Sequence, residues 1–407
     1  MWNGSILDSV IIAGAGWFPG SPPDRDGLNQ PRGLGSRLMS TPEPTPRLFE
    51  PLDLRGAHLP NRIVVSPMCM YSAVAGNASA WHHVHLGSLA ASGAGLVLAE
   101  ATAVEARGRI TPECLGLWND DHARSLARVV ATVREVAPKS VLGIQLAHSG
   151  RKASHARPWS SPRGYVAKDK GGWPTVGASA NSYENIAPPA EALDQEGLDT
   201  IRIAFAEAAR RAVSIGFDVI EMHAAHGYLL SSFLSPLSNQ RTDSYGGSLE
   251  NRMRFPLEVF DAMRDAIDDL NDEIPLLVRF SGTDWRDDLD GWSTQDSLAF
   301  ARELESRGCD GVDVSTGGNA KADIPGGPGF QVPFAAAVKR GVDSMPVIAV
   351  GELDDPQLAE DTLARGDADA IAIGRGMLRN PRWAWDAAEA LGGRLEYVDQ
   401  YAWCVGK

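Results

Sequence analysis

Two histidines and a tyrosine stand close together in the run His223-Ala224-Ala225-His226-Gly227-Tyr228. Imidazole N–H groups aimed at one oxygen can hold and polarise a carbonyl, and a phenol can deliver a proton. Histidine pairs are also common metal ligands. Glu221 shares a strand face with His223 by the two-residue period. On spacing alone, a metal-dependent hydrolase therefore stands beside a carbonyl-polarising site.

Other chemistry-bearing residues close short apolar runs. They are Ser66-Pro67-Met68-Cys69 with Tyr71, Glu100-Ala101, Gln145 with His148, and Arg279. The last three runs end in glycine: Ser315-Thr316-Gly317-Gly318, Gly351 and Gly374-Arg375. Gly374 allows close backbone approach, and Arg375 can pair a phosphate bidentately. These ends read either as a phosphate site or as ordinary strand-to-helix turns. Taken alone, Cys69 reads as core, Arg279 as half of an interior ion pair, and Gln145 as uninformative. The cluster His82, His83 and His85 opens a helical stretch and reads as packing and surface.

The elements that must position these residues alternate along the chain. Apolar, β-branched runs occupy 62–66, 95–100, 141–147, 218–223, 275–280, 311–315, 346–350 and 369–373. Such runs suit strands buried on both faces of a parallel sheet. Amphipathic stretches lie near 82–93, 121–136, 197–215, 251–269, 295–308, 331–341, 356–366 and 380–391. Gly216, Gly308 and Gly366 supply stop signals, and Pro256 is expected to kink or shift the fourth stretch. Eight alternations predict an α/β fold, a (β/α)8 TIM barrel, with these polar residues at its carboxyl-terminal mouth. Residues 149–193 form a long Gly-, Pro- and Trp-containing connection after the third strand. It is expected to cover the site.

The expected organisation is a disordered extension over 1–47, a barrel over 48–395 and a tail over 396–407. In the extension, Gly14 and Gly16 begin a dinucleotide fingerprint that fails at Pro19. The net charge of −14, from 38 basic and 52 acidic residues, argues against nucleic-acid and anionic-membrane partners. Four scattered cysteines indicate neither a zinc ribbon nor a disulfide framework, and point to a reducing cytoplasm. No run approaches the roughly 18 apolar residues of a membrane span.

Several motifs, in order, resemble the old yellow enzyme family. They are Leu48-Phe49-Glu50-Pro51, Asn61-Arg62-Ile63, Ser66 to Tyr71, Gly143 to His148, and Gly150-Arg151-Lys152. His223 to Leu229, Leu234-Ser235-Pro236, Arg241-Thr242-Asp243, Tyr245-Gly246-Gly247 and Ile373-Gly374-Arg375 follow. Cys69 with Tyr71 is similar to the bacterial thermophilic-like and xenobiotic reductase branch. Arg157-Pro158-Trp159 leans toward the latter.

The resemblance implies bound FMN, hydride from NADPH or NADH, and ping-pong reduction of an activated C=C bond in a small enone. It implies an FMN site built from Ser66, Pro67, Met68, Cys69, Ala101, Gln145, Arg279, Gly317, Gly351, Gly374 and Arg375. His223 and His226 would hold the substrate carbonyl and Tyr228 would supply the proton. Cys69 would adjust the flavin's electronics, and Tyr71 would meet the ligand from the opposite side. Relatives often end in a segment whose arginine reaches a neighbouring subunit's site. Gln400 to Cys404 has none, so Trp403 is expected to supply an apolar wall instead, within a homodimer or homotetramer. The hydrolase and a non-catalytic flavin-binding protein are the competing readings.

Overall fold

Eight short runs of Val, Ile, Leu and Ala become eight parallel strands that close into a barrel, as the sequence predicts. The computed structural model describes residues 45–183 and 187–405. The disorder expected for the extension falls, over 1–44, outside the described residues. The barrel strands are β1 (Ile63–Val65), β2 (Leu96–Ala103), β3 (Val141–Ala147), β4 (Val219–Ala224), β5 (Leu276–Ser281), β6 (Gly311–Ser315), β7 (Val347–Val350) and β8 (Ala370–Ile373). The helices between them are α1 (Ala80–Ala90), α2 (Asp120–Val136), α3 (Gln195–Ser214), α4 (Leu249–Asp268), α5 (Thr294–Ser306), α6 (Val332–Lys339), α7 (Pro356–Ala364) and α8 (Trp383–Leu391).

Local chemistry sets the helix starts. The side chains of Asn119, Asp194, Ser248, Ser293 and Asp355 each accept a backbone N–H from the first turn of α2, α3, α4, α5 and α7. Pro256 does not break its helix; α4 starts at Leu249 and runs through it.

A hairpin that the sequence did not suggest, Leu52–Leu54 against Ala57–Leu59, precedes β1. Its Leu54, Ala57 and Leu59 pack with Val64, Leu96, Leu98, Val219, Leu277, Ile348 and Ala370 in one buried cluster. This apolar layer fills the lower barrel. The polar residues stand above it, toward the carboxyl ends of the strands. Within the connection 149–193, a short parallel pair joins Val176–Gly177 to Glu191–Ala192. Buried Arg151 ties the connection to the strand ends by donating to Asn181 Oδ1 (3.0 Å) and Asn319 O (2.5 Å).

Candidate active site

Strand register assembles the polar layer. Gln145 of β3 lies beside Glu221 of β4, His223 beside Arg279 of β5, and Arg279 beside Asp313 of β6. Gln145 Nε2 donates to Glu221 Oε1 at 2.7 Å. Arg279 Nε lies 3.2 Å from Asp313 Oδ2, and its Nη1 donates to Ser66 Oγ at 3.1 Å. All of these residues are buried. Burial, reinforced by Asp313, pushes the Glu221 carboxyl up to about 8. Burial also raises Asp313, against the pull of Arg279.

Arg279 does form the interior ion pair, and it also lines a cavity of about 480 Å³ with Ser66, Pro67, Met68, His226, Gln331, Gly351, Gly374 and Arg375. Arg379 lines it too; the sequence reading missed this residue, although it follows Arg375 by one helical turn. At the mouth, Arg375 pairs with Glu352 (3.0 Å) and Arg379 with Asp354 (2.5 Å). The donor set fits FMN. A cation and hydroxyl lie at the buried end, glycine backbone lies on the wall, and two guanidiniums stand at the rim for a phosphate.

Four residues expected at this site, Cys69, Ala101, Gln145 and Gly317, are not among those lining the cavity. Gly317 is a turn with φ +73 whose N–H donates to Thr283 O and whose carbonyl accepts from Ser281 Oγ. Ala101 sits where the β2–β3 pairing shifts register, and shares a small neighbouring pocket with Tyr228.

His226 has φ +61, a costly conformation for a residue with a Cβ. Its backbone is clamped: the N–H donates to Ser281 Oγ (2.9 Å), and the carbonyl accepts from Lys152 Nζ (2.8 Å). His226 Nδ1 lies 3.4 Å from His223 Nε2, and its Nε2 lies 2.7 Å from Ser315 Oγ. His223 Nδ1 is buried without a hydrogen-bond partner. Both imidazoles are lowered well below their ordinary value by burial, then by Arg279. They are neutral at physiological pH. The pair therefore presents one orphan nitrogen and one that an incoming ligand must take from Ser315.

The Tyr228 ring lies edge-on to His223 at 5.2 Å, with Lys152 Nζ 5.4 Å from its centroid. Burial holds its phenol well above the ordinary value, so it keeps its proton. Tyr71, with φ +48, meets Trp159 of the long connection edge-on at 5.8 Å. Tyr183 of the same connection lies over Lys152 Nζ at 4.3 Å. The sequence suggested a cover here but did not single out these aromatics. Burial, with Cys114 and Glu100 near, keeps Cys69 a neutral thiol. Glu100 itself accepts the Met70 N–H (3.1 Å), and His82 Nε2 lies 3.3 Å from its other oxygen without a hydrogen bond, which explains His82 as packing around β2.

Among the described residues, no group of three His, Cys, Asp or Glu is placed to hold a metal ion. No described helix is long and apolar enough to cross a membrane. In the tail, Tyr397 and Tyr401 pack edge-on against Trp385 at 5.4 Å each. Trp403 is 73% exposed; its indole N–H donates to Gln400 O, and it does not line the cavity of its own chain.

Barrel, cationic cavity and neutral imidazole pair together define a (β/α)8 oxidoreductase with a flavin nucleotide at its carboxyl-terminal mouth. Residues 47–392 match the NADH:flavin oxidoreductase / NADH oxidase family, and the chain belongs to that family, the family of the old yellow enzymes. It is 40% identical to an NADH:flavin oxidoreductase of Gibberella zeae over 98% of this chain and 96% of that one. It is 41% identical to an NADPH dehydrogenase of Geobacillus thermodenitrificans over 87% of this chain and 97% of that one. Its fold is similar to morphinone reductase, with a TM-score of 0.70 and 27% identity, covering 88% of this chain and 93% of that one. The protein is a flavin-dependent oxidoreductase whose cofactor is FMN and whose hydride donor is a nicotinamide nucleotide.

Proposed function

We propose that this enzyme reduces the activated C=C bond of small α,β-unsaturated carbonyl compounds at the expense of NADPH or NADH. The observation that carries the reading is the neutral pair of buried His223 and half-buried His226, with Tyr228 edge-on to His223, beside the Arg279 cavity. FMN, when bound, supplies hydride transfer from the nicotinamide to the β-carbon of the alkene. Nicotinamide and enone share one site, which makes the kinetics ping-pong.

With their single protons on His223 Nδ1 and His226 Nε2, the two rings donate to the substrate carbonyl, where negative charge gathers as the alkene is reduced, and the 3.4 Å approach of His226 Nδ1 to His223 Nε2 then carries no proton. Tyr228 delivers its proton to the α-carbon, and its high proton affinity keeps it loaded beforehand. Tyr71, with Trp159 against it, forms the opposite wall, and Cys69 borders the flavin as a thiol. Arg279 would offset the charge that reduction places on the flavin, and Gln145 would supply an amide to its pyrimidine edge.

The purified protein is expected to be yellow and to release FMN on denaturation. It should oxidise NADPH anaerobically only when cyclohexenone is present, with parallel double-reciprocal lines. FMN-loaded protein that ignores enones would overturn the proposed reaction. A stoichiometric metal with hydrolase activity would favour the metal-dependent alternative.

The enzyme works in the cytoplasm as a homodimer or homotetramer, with Trp403 walling a partner's substrate pocket. Its exposure on the docked tail supports this. A large aromatic adds apolar area at low entropy cost. Trp403→Ala, or truncation after Asp399, should raise KM for apolar cyclic enones by roughly threefold to tenfold. If both variants keep the assembly and the kinetics across an enone series, Trp403 has no such role.

A further inference from the structure

The polar layer beneath the cofactor cavity holds two carboxyl groups and one cation. Arg279 of β5 faces Asp313 of β6 at 3.2 Å, and Glu221 of β4 completes the layer. Glu221 and Asp313 are both fully buried. Glu221 Oε2 and both Asp313 carboxylate oxygens lack a hydrogen-bond partner. With both carboxyls ionised, the layer would carry an uncompensated negative charge in the buried barrel interior. With one proton between them, the layer is neutral.

One oxygen of Glu221 already has a task. Its Oε1 accepts the amide N–H of Gln145, which orients that amide and leaves the Gln145 carbonyl for another donor. The opposite oxygen is the orphan and has room in its bonding for a proton.

We propose that Glu221 is a proton-holding positioning residue that couples the reduction potential of the bound flavin to pH. The inference rests on the reading of Arg279 as the cation beside the flavin's pyrimidine edge. The groups acting on Glu221 are Asp313, which raises it, Arg279, which lowers it, and Gln145, which donates to it. His223, next but one on the same strand, is neutral. Glu100 of β2 accepts the Met70 N–H and lies beside His82.

Two electrons ordinarily enter the flavin with one proton. The added negative charge competes for Arg279 and raises the proton affinity of Glu221 further. Below about pH 8, Glu221 is protonated in both redox states, and one proton accompanies each electron pair. Above about pH 8 it is ionised in the oxidised protein only. A second proton then passes from water to Glu221 Oε2 as the electrons arrive from the nicotinamide or another reductant.

The test is the midpoint potential of the FMN-loaded protein, measured by spectroelectrochemistry from about pH 6 to about pH 10. In the wild type, the slope of potential against pH should double above about pH 8. Glu221→Gln keeps the shape and the acceptor for Gln145, and should hold the single-proton slope throughout. Asp313→Asn removes the charge that raises Glu221, so its break should move to lower pH; a purely structural role would not shift it. Infrared difference spectra of the wild type at alkaline pH should gain a carboxylic-acid C=O band on reduction.

A single-proton slope across the whole range in the wild type overturns the proposal, even if no variant retains flavin. So does a doubled slope that survives in Glu221→Gln. An Arg279→Met variant with an unchanged potential would instead overturn the reading of Arg279, which separates the two failures.

Discussion

Replacing His223 and His226 together by alanine should lower kcat/KM for an enone by about 10³-fold or more, with FMN content near that of the wild type. Removing one donor from a site of developing oxyanion charge typically costs about 10²–10³ in rate. Here both donors are neutral, because burial and Arg279 keep the imidazoles unprotonated. The loss in ground-state binding is therefore smaller than the loss in rate. Each neutral hydrogen bond to a phenolic inhibitor is worth about 0.5–1.5 kcal/mol.

The two single variants should differ. His223 Nδ1 has no hydrogen-bond partner in the protein, so His223→Ala removes a contact that this nitrogen makes only to ligand. His226→Ala also frees the Ser315 hydroxyl, which still donates to Gln331 Oε1 (3.2 Å). Stopped-flow of the oxidative half-reaction, with phenol titration of the flavin absorbance, measures both. Unchanged turnover in the double variant, or loss of a bound metal from it, would sink the assignment.

Much of this site can be read along the chain because its residues stand at the ends of strands that announce themselves. Runs such as Val141–Ala147 and Leu276–Ser281 are apolar apart from Gln145, Arg279 and Ser281, since barrel strands are buried on both faces. Their last residues then point at one place. The hairpin Leu52–Leu54 and Ala57–Leu59 gave no such signal, because three-residue strands are too short to show a period.

What the chain hides is the pairing across strands. Glu221 stood next to His223 by period and was open to a shared metal. Barrel closure instead turns its carboxyl to Gln145 and Asp313, 76 and 92 residues away in sequence. The link from His226 to Ser315 likewise depends on the β5–β6 register, which sets Ser281 beside Ser315. The resemblance puts Gly317 at the cofactor. The backbone there spends its polar groups on Thr283 and Ser281.

Arg279→Met should lower the flavin potential by roughly 60–90 mV, the two-electron equivalent of about 2.7–4 kcal/mol of lost charge stabilisation. The sign follows from where the charge appears. Reduction adds negative charge, so losing the cation penalises the reduced state more than the oxidised one. The same change should also destabilise the fold. Asp313 loses its only ion-pair partner among the described residues, and breaking a buried pair by removing one member costs about 3–5 kcal/mol. Part of that cost is recovered if Asp313 or Glu221 takes up a proton, so the stability loss should be smaller at acid than at alkaline pH. The two consequences can be separated. Adding Asp313→Asn to Arg279→Met removes the stranded carboxylate and should restore most of the denaturant midpoint. The potential should stay low, because the cation is still missing. A double variant that recovered both together would mean that Arg279 acts through the packing of the layer and not through its charge. A folded, FMN-loaded Arg279→Met protein with an unchanged or raised potential would remove Arg279 from the cofactor's surroundings altogether.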